Sequence, residues 1–309
     1  MATLLRDKTF TDEEPVKLSI CSLAFNHQDF IEECFEGFLE QICDFRIEII
    51  IYDDASTDRT ADIIRTYAER YPSIFRMMLQ EKNQYSKGVN PYFAYVFPAA
   101  RGEYIAICDG DDFWNDPNKL ARQVAILDAE PDIALTYGPV RAITEAGVNE
   151  KYEGGIRRDT TPDELKEGPP INTLTSCFRN IYRDKQTDLF IRTSPIGDLT
   201  VWAMLGYHGG GRFIPDLPRA NYRIHQNGLI SMQSSRRQKY MSALAYLHIA
   251  AYHDGKGDSK GRQAAIKSML SFQNKLDMGY FSAVNLSDLS LKHLIKLWAK
   301  SLKHRIRKR

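Results

Sequence analysis

The chain has 309 residues, 43% hydrophobic and 26% charged, and a formal net charge of +1, which fits one large globular domain with an appendage. No run of ~18 or more apolar residues occurs, and the opening MATLLRDKTFTDEEP has no apolar stretch of signal-peptide length, which argues against a membrane span and against secretion. Cys21, Cys34, Cys43, Cys108 and Cys177 are odd in number and lack paired close spacings, which argues against a disulfide framework and a zinc site and leaves reduced cysteines in a cytoplasmic protein as the expectation.

Residues 1–15 are polar and read as a flexible arm. Val16 to Phe25 is largely apolar and strand-like, and Asn26 is placed to cap a helix in which Phe30, Ile31, Cys34, Phe38 and Ile42 recur at helical spacing. Ile47 to Tyr52 is a second strand, rich in β-branched residues. Asp53-Asp54-Ala55-Ser56-Thr57-Asp58 leads from it into a helix carrying Ile63, Ile64, Tyr67 and Tyr71. Met77 to Leu79 reads as a third, short strand, and Pro91 starts a helix through Phe93, Ala94 and Phe97. Tyr104 to Cys108 is the fourth strand, followed by an acidic loop and a helix over about 118–129.

Strands alternating with helices predict right-handed crossovers and an α/β fold: a mostly parallel central sheet flanked by helices, with the binding site at the carboxyl ends of the strands. The polar clusters sit at those ends. From Ile133 the pattern becomes irregular, with turns over 146–170, and mixed strands and loops are expected. Residues 233–309 read as a helical C-terminal region, with helices at Tyr240–Tyr252, at Arg262–Leu276 and at the terminus. The terminus is strongly basic: residues 289–309 carry eight Lys or Arg and no acid, which leaves the rest of the chain at −7.

The sharpest chemical feature is Asp109-Gly110-Asp111-Asp112 at the end of an apolar strand. Carboxylates this close repel one another and invite a cation, and their hard oxygens suit Mg2+ or Mn2+. An acidic strand-end turn with no ligand is the plainer reading of the turn taken alone. A calcium helix–loop–helix is excluded, because Trp114 sits where that loop needs glycine and Leu120 where it needs glutamate.

Ser22-Leu23-Ala24-Phe25-Asn26 after the first strand, Tyr52-Asp53-Asp54-Ala55-Ser56-Thr57-Asp58 after the second, and Asp109-Gly110-Asp111-Asp112-Phe113-Trp114 after the fourth together resemble the inverting glycosyltransferases of family 2, whose fold is GT-A, the nucleotide-diphosphosugar transferase fold. The resemblance covers roughly residues 16–232, with 16–135 as a donor-binding half and 136–232 as an acceptor half. It implies one sugar moved from a nucleotide diphosphate sugar, with uridine the first guess for the base, to a glycan or lipid-linked acceptor in surface polysaccharide synthesis. In that reading Phe25 flanks the nucleobase and Asp54 accepts from a base N–H. Asp109 and Asp111 contact the metal and the ribose-diphosphate, Asp112 supports them, and Lys87 with Gly88 lies where the family closes over the donor. Phe25 as a core aromatic, Asp54 as a helix cap and Lys87 as a solvated turn are the plainer alternatives.

Inversion needs a carboxylate to take the acceptor proton. Ile196-Gly197-Asp198-Leu199-Thr200-Val201-Trp202 resembles the family's acidic motif with Asp198 as base, although many relatives have a second acid where Gly197 stands, and an Asp there also complements a helix dipole. Tyr222-Arg223-Ile224-His225-Gln226-Asn227-Gly228 and Ser231 resemble the closing segment, with His225 toward the metal or diphosphate, where a structural or exposed imidazole is the plainer alternative, and Arg223 either offering charge to phosphate or pairing with a core carboxylate. The Gln-x-x-Arg-Trp signature of processive members is missing, so single addition is implied. Dinucleotide and P-loop glycine patterns are missing too. A non-catalytic sugar-nucleotide or glycan-binding module on the same fold remains the alternative, kept open by Gly197.

In the basic terminus, Leu291, Leu294, Ile295, Trp298, Leu302 and Ile306 draw one apolar stripe with Lys292, Lys296, Lys300, Lys303 and Arg307 opposite. That pattern predicts an amphipathic helix lying on an anionic membrane surface, on the inner face of the cell membrane, at about 1 kcal/mol per basic side chain; a helix packed on the domain is the alternative. With one aromatic among the basic residues, no nucleic-acid partner is expected.

Overall fold

The computed structural model describes residues 3–149, 151–152, 154–183, 188–225 and 234–274. The chain divides into two compact units, Met1–Met232 and Gln233–Arg309.

The first unit opens with β1 (Thr3–Leu4), β2 (Val16–Ala24), α1 (Ile31–Leu39), β3 (Ile42–Cys43), β4 (Arg46–Asp53), α2 (Thr60–Arg70) and β5 (Phe75–Leu79). A π-type turn, Tyr92–Val96, runs into the one-turn α3 (Phe97–Ala99), and β6 (Tyr104–Ile107) and α4 (Lys119–Ala129) follow. Then come β7 (Ile133–Tyr137), β8 (Val140–Thr144), β9 (Gly147–Asn149), α5 (Pro162–Lys166), β10 (Cys177–Arg179), α6 (Gly197–Leu205), β11 (Gly210–Phe213) and β12 (Ala220–Arg223).

Seven strands form the central sheet in the order β11-β7-β10-β6-β2-β4-β5. Its pairings are parallel except for β10, which runs antiparallel between β6 and β7. A smaller sheet, β12-β8-β9, lies in the same unit. β4 is buried at every residue, as its run of isoleucines requires of a strand covered on both faces. The chain leaves β2 toward β4 on one side and returns to β6 on the other, so a topological switch point opens at the carboxyl ends of β2 and β6, where α/β sheets bind ligands.

Two local expectations change. Asn26 does not cap α1, which starts at Ile31 with Phe30 before it; Asn26 has φ +57° and its Oδ1 accepts from the Thr57 N–H at 2.8 Å, so it ties the loop after β2 to the loop after β4. The arm before Val16 is anchored: Thr3 and Leu4 pair with Cys43 and Ile42, and Leu5 is buried because it is the arm's apolar residue facing the core under α1.

At the opposite end of the sheet from the switch point, Glu48 is buried on β4 and accepts from the Ser19 hydroxyl at 2.7 Å, the Arg101 N–H at 2.7 Å, Arg101 Nε at 2.8 Å and Arg76 Nη1 at 3.0 Å. Burial alone would raise its carboxyl; the Arg101 N–H, the Ser19 hydroxyl and Arg76 outweigh it and hold the group below its ordinary range. This one carboxylate joins β2, β4, β5 and the turn before β6. Lys119 is the reverse case. It is buried on α4 with Nζ 4.2 Å from the Trp114 ring centroid and 2.6 Å from Gln123 Oε1, and no carboxylate among the described residues pairs with it. Burial pulls its ammonium down to about 8.

In the second unit, α7 (Ser235–Gly255) and α8 (Ser259–Asn274) pack on each other, with Tyr246 stacked on Phe272 at 5.7 Å. The Ser234 hydroxyl caps α7 by accepting from the Arg237 N–H. No helix among the described residues is long and apolar enough to cross a membrane. The basic amphipathic helix expected near the terminus lies outside the described residues.

Two stability outcomes are expected. Glu48→Ala strands the Ser19 hydroxyl and the Arg101 N–H and costs about 2–4 kcal/mol in urea unfolding at pH 7; because the folded carboxyl is held low, the native advantage shrinks as pH falls below the ordinary glutamate value. Lys119 is charged in both states below pH 8 and binds its proton more tightly when unfolded between about 8 and 10.5, so the wild type gains stability from this group over that window. Lys119→Met is therefore more stable than wild type at pH 7, by about 1–3 kcal/mol, and the difference narrows by pH 10 in the same measurement.

Candidate active site

The polar loops that follow β2, β4 and β6 meet the end of β12 at the switch point. The acidic turn 109–112 begins where β6 ends and is fastened to the rest of the unit by each of its members. Asp109 Oδ1 accepts from the Leu23 N–H at 3.1 Å and from the Tyr92 hydroxyl, which the π-type turn delivers from the side of the sheet. The Gly110 N–H reaches Leu23 O at 2.9 Å. Asp112 Oδ1 accepts the Arg223 N–H at 2.8 Å, and Phe113 bridges to Asn221 on β12. Trp114 is buried, its indole N–H donating to Leu174 O at 2.7 Å.

Asp111 faces a different set of partners. Its Oδ2 lies 3.0 Å from His225 Nε2 and 3.8 Å from His27 Nε2. His27, His225 and Asp111 bring one ligand atom each to within 4.8 Å of one another. Asp109 and Asp112 stand apart from that convergence, because their oxygens are directed at β2, Tyr92 and β12.

The electrostatics follow from burial. Asp109 is pushed up to about 7, by burial first and then by the charge of Asp111. Asp112 is pushed well above its ordinary value, again by burial and then by Asp111. Burial would raise Asp111 as well, but the hydrogen bond from His225 and the nearby His27 hold it low. Burial keeps the His27 imidazole below its ordinary value, with Asp111 pulling the other way. The turn therefore carries more carboxylate than the protein neutralises. A neutral buried imidazole and a low carboxylate are ligands in the state a cation needs, so the donors present fit a divalent ion.

Arg223 is engaged by protein groups. Its Nη1 donates to Asp111 O at 2.8 Å, its Nη2 pairs with Glu33, and its guanidinium stacks over Phe30 at 4.8 Å and Phe113 at 5.0 Å. It clamps the acidic turn to α1.

On the other side of β2, Phe25 is 38% exposed at the strand end, open to a planar ligand rather than packed in the core. Asp54 is buried and its two oxygens accept from the Gln84 N–H at 2.8 Å and the Tyr85 N–H at 3.0 Å, so it also holds the loop after β5. Lys87 lies on that loop, exposed and beside Gly88 with φ +81°.

Asp198 lies in the first turn of α6. Its Oδ2 accepts from the Thr173 hydroxyl at 3.3 Å and its Oδ1 from the Leu199 N–H at 2.7 Å. Burial raises it, against those two hydrogen bonds. Gly197 has a packing reason: a Cβ there would lie 2.8 Å from Asn90 Nδ2, which is itself donated to Ser194 O at 2.9 Å.

His27, Tyr92 and Thr173 were not picked out from the sequence. His27 carried a signal, directly following Phe25 and Asn26 in the first motif; Tyr92 and Thr173 carried none, since each meets its carboxylate only through the fold. Of the closing segment, Gln226, Asn227, Gly228 and Ser231 lie outside the described residues.

The chain is 38% identical over 227 residues to the uncharacterised protein Rv1520 of Mycobacterium tuberculosis (strain ATCC 25618 / H37Rv), covering 72% of this chain and 63% of that protein, so it spans less than two thirds of that relative's length. It is 35% identical over 238 residues to the UDP-Glc:alpha-D-GlcNAc-diphosphoundecaprenol beta-1,3-glucosyltransferase WfaP of Escherichia coli, covering 76% of this chain and 88% of that one. The fold is similar to that of S. aureus TarS 1-349 in complex with UDP-GlcNAc, with a TM-score of 0.56 at 17% identity over 83% of this chain and 73% of the other. Residues 19–188 match the model of glycosyl transferase family 2. With this match and relatives 35–38% identical, the chain belongs to glycosyl transferase family 2.

Proposed function

We propose that the protein is an inverting, metal-dependent glycosyltransferase that moves one sugar from a nucleotide diphosphate sugar, with UDP as the nucleotide, to a hydroxyl of a glycan or lipid-linked acceptor in surface polysaccharide synthesis. The observation that carries this reading is Asp111 Oδ2 lying 3.0 Å from His225 Nε2 in the acidic turn at the switch point, with Asp198 in the first turn of α6 as the candidate base. Family membership supports the transfer chemistry. The donor and acceptor named for WfaP, UDP-Glc and a diphosphoundecaprenol-linked sugar, support the substrate classes.

In this reading Phe25 offers its exposed ring to the base and Asp54 holds the loop bearing Lys87 in place beside it. Asp111 and His225 hold the ion, Mn2+ or Mg2+, and Asp109 and Asp112 keep the turn in position and add negative charge around it. When bound, the ion neutralises charge gathering on the diphosphate leaving group. Asp198 takes the proton of the acceptor hydroxyl as that oxygen attacks the sugar carbon opposite the diphosphate, and burial, by raising the carboxyl, makes it a better base. Arg223 serves by clamping the turn to α1 rather than by touching phosphate. The binding-module alternative is kept open by Gly197, for which the contact with Asn90 offers a packing reason. The apolar and basic stripes over 291–307 support contact with the inner face of an anionic membrane.

Release of nucleoside diphosphate from a panel of nucleotide sugars, with lipid-linked acceptors present, checks the reading. Turnover from a UDP-sugar is expected to vanish on adding chelator and in Asp111→Ala, and to fall about 10²–10⁴-fold in Asp198→Asn with donor binding kept. Donor binding without release in the native chain would instead establish a binding module.

A further inference from the structure

We infer that His27 is a third, pre-placed ligand of the divalent ion held at Asp111 and His225, and that it biases the site toward a first-row transition ion over Mg2+; this rests on the metal-dependent reading above. His27 Nε2 is 3.8 Å from Asp111 Oδ2, too far for a hydrogen bond, while His27 Nδ1 is buried with no partner. A buried imidazole nitrogen left without a partner costs on the order of 1–3 kcal/mol, so the ring's place is not explained by hydrogen bonding at Nδ1. Donors sharing one ion at bond lengths of ~2.1–2.2 Å lie about 3.0–3.6 Å apart. The separations from Asp111 Oδ2, 3.0 Å to His225 Nε2 and 3.8 Å to His27 Nε2, match that spacing to within a few tenths of an ångström.

The ring is also fixed in advance. The His27 backbone N–H donates to Thr60 Oγ1 at 2.8 Å, which holds the residue's main chain, and the imidazole meets Phe30 and His225 edge to face at 6.5 and 6.1 Å. Gly110 leaves space for it: a Cβ there would sit 3.1 Å from His27 Nδ1 and 3.4 Å from both Ile31 Cγ1 and Leu23 O. The glycine within the acidic turn is thus the counterpart of the imidazole outside it. Two imidazoles with one carboxylate form a softer set than the all-oxygen, water-rich shell Mg2+ demands, which is the origin of the bias.

The test uses Mn2+ and Mg2+ themselves on the full chain. Pulsed EPR of the Mn2+-loaded native protein is expected to show couplings to two imidazole nitrogens, and to one in His27→Ala. By calorimetry that variant should bind Mn2+ about 10–100-fold more weakly while its Mg2+ affinity moves less than about threefold. Metal-free circular dichroism and urea unfolding check that the variant is folded, and the native spectrum decides the point if it is not. A single imidazole coupling in the native chain, or unchanged Mn2+ affinity in His27→Ala while Asp111→Asn weakens it, overturns the inference. Nucleoside diphosphate release by the native chain separates the two failures: turnover with one coupled imidazole sinks the role of His27 alone, whereas two couplings without turnover uphold His27 and sink the enzymatic reading.

Discussion

Three carboxylates within four residues at the end of β6 cannot coexist in a buried turn unless each is met by something else, and the unit is arranged around that requirement. Asp109 is met by β2 and Tyr92, Asp112 by the Arg223 N–H of β12, and Asp111 by two imidazoles. Each partner comes from a different part of the chain, so satisfying the charges also fixes where β2, the π-type turn, β12 and α1 lie relative to β6. Arg223 closes the arrangement by joining the turn's backbone at Asp111 to Glu33 on α1. The remaining negative charge is left facing the switch point, which is the property a cation would use.

The same economy of contacts joins the two sides of the proposed chemistry. Asp54 holds Gln84 and Tyr85, and the Tyr85 hydroxyl donates to Pro195 O at 3.2 Å, just before α6. Asn90 adds a backbone bond to Arg192 O at 2.7 Å and a side-chain bond to Ser194 O at 2.9 Å. A group that disturbs the loop over 84–90 therefore has a direct route of hydrogen bonds to the start of the helix carrying Asp198. A side chain at Gly197 would crowd this link, since its Cβ would lie 2.8 Å from Asn90 Nδ2.

Local pattern was enough for the alternating strands and helices through α4, because each strand is a short apolar run ended by polar turn residues and each helix an amphipathic repeat. It was enough, too, for the strand-end position of Phe25, Asp54 and the acidic turn, since an α/β sheet places polar loops at its carboxyl edge whatever their sequence. What it could not supply was pairing across the chain. Asn26 looked like a helix cap because its neighbours cap helices, yet its amide found a better donor at Thr57, 31 residues on. For Arg223 the sequence offered a phosphate or a carboxylate as partner, and Glu33 comes within its reach only once β12 is laid beside the turn.

The sequence by itself determined the fold class, the family and the kinds of group brought to the site, because those depend on periodicity, turn chemistry and motifs read within a few residues. Only the tertiary structure decided which acid meets the imidazoles and which acids serve to hold the turn, since Asp109, Asp111 and Asp112 are chemically alike and adjacent. Their roles separate through partners at Leu23, Tyr92, His27, Arg223 and His225, which are far apart along the chain and become neighbours only when the sheet assembles.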